Sequence, residues 1–145
     1  SAFAMGWSHE PTLFRPRRLP LTERDAPTPL ESYGLSKVLG EEICATYART
    51  ADLEVVCLRF TNIVKRERFY KDLPWPYDER LPLIMFAYCH EDDVVDAHLR
   101  ALDDFQVVRA AKNPATFLIA APTTRFEEPT ADLIEAPFPR GGGGP

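Results

Sequence analysis

The stretch that most constrains the fold is Glu54-Val55-Val56-Cys57-Leu58-Arg59-Phe60. A near-continuous, β-branched apolar run of this kind reads as a buried strand of a parallel sheet. It is preceded by a helix. Ser32 is the expected N-cap, Pro29 sits just upstream, and helical spacing runs to about Thr50. Leu35, Leu39, Ile43 and Tyr47 form an i+4 stripe with Val38 beside it, either core or a partner-helix face. Helix followed by buried strand predicts a βαβ arrangement. Ligands in such folds sit at the carboxyl ends of strands. Ser1 to Met5, closed by Gly6, reads as the end of another strand. It and Arg59 to Asn62 are therefore the places to look for a site.

The rest of the chain is punctuated by proline. Of fourteen prolines, thirteen cluster in 11–29, 74–82 and 114–139, which predicts several ordered loops. In the first loop, Arg15, Arg17 and Arg18 read as solvated charge. Residues 63–87 lack periodicity and mix Lys65, Arg66 and Arg68 with Phe69, Tyr70, Trp75 and Tyr77. Such a loop after a strand end is either a substrate lid or plain surface. Tyr88-Cys89-His90-Glu91 leads into a helix from about Asp92 to Phe105, with Asp93 and Asp96 resembling a capping arrangement. Thr116 to Ala120 reads as a second strand, and Thr130 to Glu135 as the start of a short helix. The Gly141 to Pro145 tail reads as flexible.

Composition excludes several function classes. The chain has 145 residues and a net charge of −5, so one ordinary domain is expected and a nucleic-acid footprint is not. No apolar run approaches the length of a membrane span, and no signal peptide is visible. The three cysteines, Cys44, Cys57 and Cys89, show no Cys-x-x-Cys spacing, so neither a zinc site nor a disulfide framework is expected. Reduced thiols in a cytoplasmic protein are the default. The His90-Glu91-Asp92-Asp93 cluster invites a metal reading, but acidic residues at a helix start answer the helix dipole, and no second ligand pair has metal-site spacing. His98 reads as a helix-surface or core histidine. No metal is expected.

The chemistry is carried by Tyr33 and Lys37. At i and i+4 of a helix their side chains are neighbours. An ammonium held beside a phenol favours the ionised form, so such a pair suits proton transfer to or from a hydroxyl or carbonyl substrate. A Tyr-x-x-x-Lys pair by itself arises by chance in about one such sequence in four, so its companions must decide.

Those companions are Ser1 to Gly6; Pro29 to Lys37 with Glu41 and Glu42; Leu58-Arg59-Phe60-Thr61-Asn62; Tyr88 to Val94 before a helix; and the late strand from Phe117 to Ala121. In this order they resemble the extended short-chain dehydrogenase/reductase superfamily, in its NAD-dependent epimerase/dehydratase group. The resemblance implies an α/β fold: the second half of a doubly wound, Rossmann-like parallel sheet over residues 1–140. The 63–91 region would be a reduced substrate side, as in sugar-acid dehydrogenases. It implies Tyr33 as catalytic acid/base and Lys37 as the lysine that hydrogen-bonds the nicotinamide ribose and eases ionisation of the tyrosine. Ser1 would polarise the substrate oxygen. Phe60 and Thr61 would pass beside the nicotinamide, although the family often has proline where Phe60 stands. Asn62 would contact substrate. The cofactor implied is NAD or NADP, the substrate a sugar or nucleotide sugar, and the partner a second copy through helix 32–50.

The family's glycine-rich pyrophosphate turn, Gly-x-x-Gly-x-x-Gly, does not occur in this sequence. The chain is therefore expected to be an internal or C-terminal portion of an oxidoreductase, epimerase or dehydratase, inactive on its own, with an exposed sheet edge. The alternative is a non-catalytic binding or dimerisation module of the same fold.

Overall fold

The computed structural model describes residues 2–6, 19–51, 53–65, 87–103, 114–124, 129 and 131–132. Ser1, the arginine cluster, the 66–86 loop and the glycine tail lie outside them. So does most of the helix expected from Thr130. The described elements are a 3-10 helix (Ala2–Met5), α1 (Ser32–Thr50), β1 (Val56–Phe60), β2 (Asn62–Val64), β3 (Tyr88–His90), α2 (Glu91–Asp103) and β4 (Ala115–Ile119). Both described strand pairs are parallel. β1 pairs with β4, placing Val56 opposite Ala115 and Phe60 opposite Ile119. β2 pairs with β3, placing Asn62 opposite Tyr88. The result is a small α/β arrangement consistent with a partial Rossmann-like fold.

The expected strand at the start of the chain is instead a 3-10 helix. The Gly6 N–H closes it by donating to the Phe3 carbonyl, and Gly6 adopts φ 93°, a region that side chains with a Cβ rarely enter. Two short strands also escaped the sequence reading. Asn62–Val64 and Tyr88–His90 span only three residues each, too few for alternation to show. β2 begins just past Thr61, where the chain leaves one strand pair for the other. The Thr61 N–H still donates to Ile119 O (3.2 Å), and the Ala121 N–H donates to Tyr88 O (2.6 Å), so the two pairs stay tied together.

The helix ends follow their local chemistry, with two changes. α1 is capped by Glu31 rather than Ser32. The extended Glu31 backbone (φ −150°, ψ 169°) lets its carboxylate accept from the N–H groups of Tyr33 and Gly34, and its negative charge suits the helix start. At α2 the capping partner of Asp93 is His90, not Asp96. The Asp93 carboxylate accepts from the His90 N–H (2.8 Å), and His90 Nδ1 accepts from the Asp92 N–H (3.2 Å). This is the reciprocal pattern of a capping box. Asp96 pairs with Arg100 one turn on.

The core lies where the 3-10 helix meets the strands: Ala4, Met5, Val64, Cys89 and Ala115 are buried. The α1 stripe does not join it. Leu35, Leu39, Ile43 and Tyr47 are 48% to 58% exposed, so the stripe is not core. Among the described residues, no helix is long and apolar enough to cross a membrane.

Candidate functional site

The side chains of β1 alternate between the two helices. Arg59 reaches α1 through Glu41. Val56, Leu58 and Phe60 line a cavity of about 500 Å³ against Ala101, Leu102 and His98 of α2. The Phe60 ring stacks on His98, with centroids 5.4 Å apart. His98 Nδ1 lies 2.7 Å from the Val94 carbonyl and donates to it, so this ring is engaged by its own helix. Among the described residues, no group of three histidine, cysteine, aspartate or glutamate side chains could hold a metal ion.

The Tyr33–Lys37 pair stands at the N-terminal end of α1. The Lys37 ammonium lies over the Tyr33 ring, 4.7 Å from its centroid, a cation–π contact. The opposite constraint comes from Phe3, whose ring meets Tyr33 edge-on at 5.3 Å. Tyr33 is half exposed.

Two devices hold this end of α1. The first is Gly34, the buried residue of the helix. A Cβ there would lie 2.5 Å from the Phe3 carbonyl oxygen, so only glycine lets the helix backbone approach the 3-10 helix this closely. Loop 19–31 supports the same spot: the Thr28 N–H donates to Ala4 O (3.0 Å) and its hydroxyl to Met5 O (3.4 Å). The second device is Arg59, only 5% exposed. Its Nε and Nη2 donate to the two Glu41 oxygens at 2.8 and 2.7 Å, and its Nη1 lies 3.0 Å from Met5 Sδ. The hydrogen bond to Glu41 raises the Arg59 pKa further, outweighing the opposing effect of burial. Glu41 and Arg59 both stand in the motifs singled out from sequence, but their pairing did not show there. Eighteen residues separate them, and only the fold brings them together.

The same face of β1 carries Cys57. Burial pushes its thiol up to about 11, with Glu41 and Cys44 adding to the shift. Burial also raises the Cys89 thiol. Both are inert as thiols near neutral pH.

Residues 7–73 match the family model described as the NAD dependent epimerase/dehydratase family. Over that span the chain is similar to this family. The match holds Tyr33, Lys37, Glu41 and Arg59 together with Phe60 to Asn62. No curated protein and no solved structure matches the chain.

Within this epimerase/dehydratase frame the expected site residues fall into separate groups. Tyr33 and Lys37 are together. Ser1 lies outside the described residues. Thr61 is buried, and its hydroxyl lies 3.3 Å from Ile119 O. The Phe60 ring occupies the α2 side of β1, away from the Arg59 side. Asn62 opens β2 beside Tyr88 and is partly exposed.

For NAD(P), the residues present fit one end only. Tyr33 and Lys37 offer a phenol and an ammonium suited to ribose hydroxyls. The described glycines do not form a pyrophosphate turn: Gly34 is packed on Phe3, and Gly40 lies mid-helix facing open space.

Proposed function

We propose that this chain carries the proton-transfer half of an NAD(P)-dependent oxidoreductase, epimerase or dehydratase acting on a sugar or sugar-like alcohol. The observation that carries the reading is the Tyr33–Lys37 pair, held on an anchored helix end with Tyr33 half exposed, inside the segment that matches the family. NAD(P), when bound, accepts or returns the hydride. Tyr33 gives or takes the hydroxyl proton of the substrate. Lys37 holds a positive charge against the ring and steadies the phenolate that forms. Ser1 and Asn62 orient the substrate, and Phe60 and Thr61 flank the nicotinamide end. The strands form the second half of a doubly wound sheet.

The exposed Leu35, Leu39, Ile43 and Tyr47 stripe supports pairing of α1 with its copy in a second chain. In an intact parent protein that also carries the pyrophosphate turn, Tyr33→Phe is expected to abolish turnover of a sugar substrate while leaving cofactor affinity within about twofold, since it removes one hydroxyl and little volume. Near-normal activity in that variant would remove Tyr33 from the mechanism. The chain of residues 1–145 is expected not to bind NAD tightly. Micromolar affinity by titration calorimetry would contradict this.

A further inference from the structure

We propose that Arg59 and Glu41 form a positioning pair that sets the direction in which Tyr33 and Lys37 project. The proposal rests on the reading of Tyr33 and Lys37 as the chemical centre. Tyr33, Lys37 and Glu41 are spaced at i, i+4 and i+8, so they occupy one stripe of α1. Fixing Glu41 against the strand therefore fixes the rotational phase of the whole stripe. Arg59 does this with a planar, two-point grip on both carboxylate oxygens, at 2.8 and 2.7 Å. An apolar contact at the same place would tolerate rotation or sliding of the helix. A two-point ionic grip does not.

The same guanidinium makes a second link. Its Nη1 lies 3.0 Å from Met5 Sδ, in the 3-10 helix that also presents Phe3. Phe3 touches Tyr33 through its ring and seats Gly34 against its carbonyl. One buried side chain thus contacts both elements whose meeting defines the surroundings of Tyr33. Most of α1 is otherwise exposed, with Gly34 alone buried, so among the described residues the Gly34 seat and the Glu41 grip are the contacts left to hold its phase.

The test separates positioning from mere stability. The full chain is labelled with 3-fluorotyrosine, and the Tyr33 fluorine resonance is assigned by its loss in Tyr33→Phe. Four forms are compared: wild type, Glu41→Gln, Arg59→Lys and the double variant Glu41→Leu/Arg59→Met. The double variant leaves no charge buried without a partner, so its urea midpoint is expected to lie near that of wild type. Its Tyr33 resonance is nevertheless expected to stay displaced from the wild-type position, while that of Tyr47, farther along the helix, stays put. Arg59→Lys keeps the charge but loses the planar grip, and is expected to displace Tyr33 in the same way. Should Glu41→Gln fail to fold, the double variant and Arg59→Lys still decide. A double variant that restores both the midpoint and the Tyr33 resonance makes the pair structural only and overturns the proposal, as does an unmoved Tyr33 in every variant. Turnover is read separately. Where Tyr33-dependent activity exists, the double variant is expected to lower kcat at least about tenfold with KM changed less than about twofold. Absence of any Tyr33-dependent turnover in an intact parent protein carrying the pyrophosphate turn removes the catalytic reading but leaves the fluorine result to decide the positioning.

Discussion

The two glycines of α1 should respond in opposite senses to the same substitution. At Gly34 a Cβ would lie 2.5 Å from Phe3 O and 3.1 Å from Phe3 C, both backbone atoms, and 2.9 Å from Glu31 Oε1. The glutamate tip can swing aside, but the Phe3 carbonyl cannot without moving the 3-10 helix. Ordinary contact begins at 3.4 Å, so the backbones must separate by about 0.9 Å (3.4 − 2.5). Overpacking of this kind costs about 1–3 kcal/mol. Alanine is the better helix former by about 1 kcal/mol in a helix interior, and by less in the first turn where Gly34 sits. Gly34→Ala is therefore expected to lose about 1–2 kcal/mol net. Gly40 has nothing within 4 Å of its imagined Cβ and lies mid-helix, so Gly40→Ala is expected to gain about 1 kcal/mol. Urea unfolding followed by far-ultraviolet circular dichroism measures both. Two midpoints moving up together would refute the close-approach argument for Gly34.

Removing one member of the buried ion pair should be costly: Glu41→Gln or Arg59→Met is expected to lose about 3 kcal/mol, with the two-residue replacement losing much less than the sum; additive losses in a double-mutant cycle would contradict the pairing. Cys57 makes stability fall in alkali. Its thiol ionises near 9.0 in the unfolded chain and near 11 in the folded one, so below pH 9 both states hold the proton and nothing is lost. Between pH 9 and 11 the unfolded state releases it first, and about 3 kcal/mol of stability disappears; a Cys57→Ala chain should lack this part of the decline, and identical alkaline profiles for the two would refute it. Asp93→Ala removes a cap from α2 and is expected to cost about 1 kcal/mol in urea unfolding. Arg100→Ala, which breaks an exposed i,i+4 pair, should change stability by less than about 0.5 kcal/mol by the same assay; a larger loss there than at Asp93 would invert the ranking of the two contacts.

The parts legible in the sequence were those written in local spacing. Periodicity and breakers placed α1, β1, α2 and β4 to within a few residues, because helix and strand periods act over stretches longer than a turn. The Tyr33–Lys37 neighbourhood is likewise local, an i,i+4 relation that any helix enforces. Three-residue strands carry no such period, so β2 and β3 emerge only from their pairing. The 3-10 helix at Ala2–Met5 uses residues equally suited to a strand, and the positive φ of Gly6 settled the matter. Glu31 displaced Ser32 as cap because its longer side chain reaches two N–H groups from an extended backbone.

The sequence by itself determined which side chains share a helix face: a phenol beside an ammonium, in an order of motifs that resembles the epimerase/dehydratase family. Only the tertiary structure decided how that face is held. The Leu35 to Tyr47 stripe shares one face by spacing alone, and only the structure shows that this face is exposed. Glu41 and Arg59 meet, and Gly34 meets Phe3, across stretches of chain that no local period spans. The physical reason is common to all three. Local spacing fixes which side chains share a face, but what that face touches depends on contacts between distant segments, and these exist only once the chain has folded.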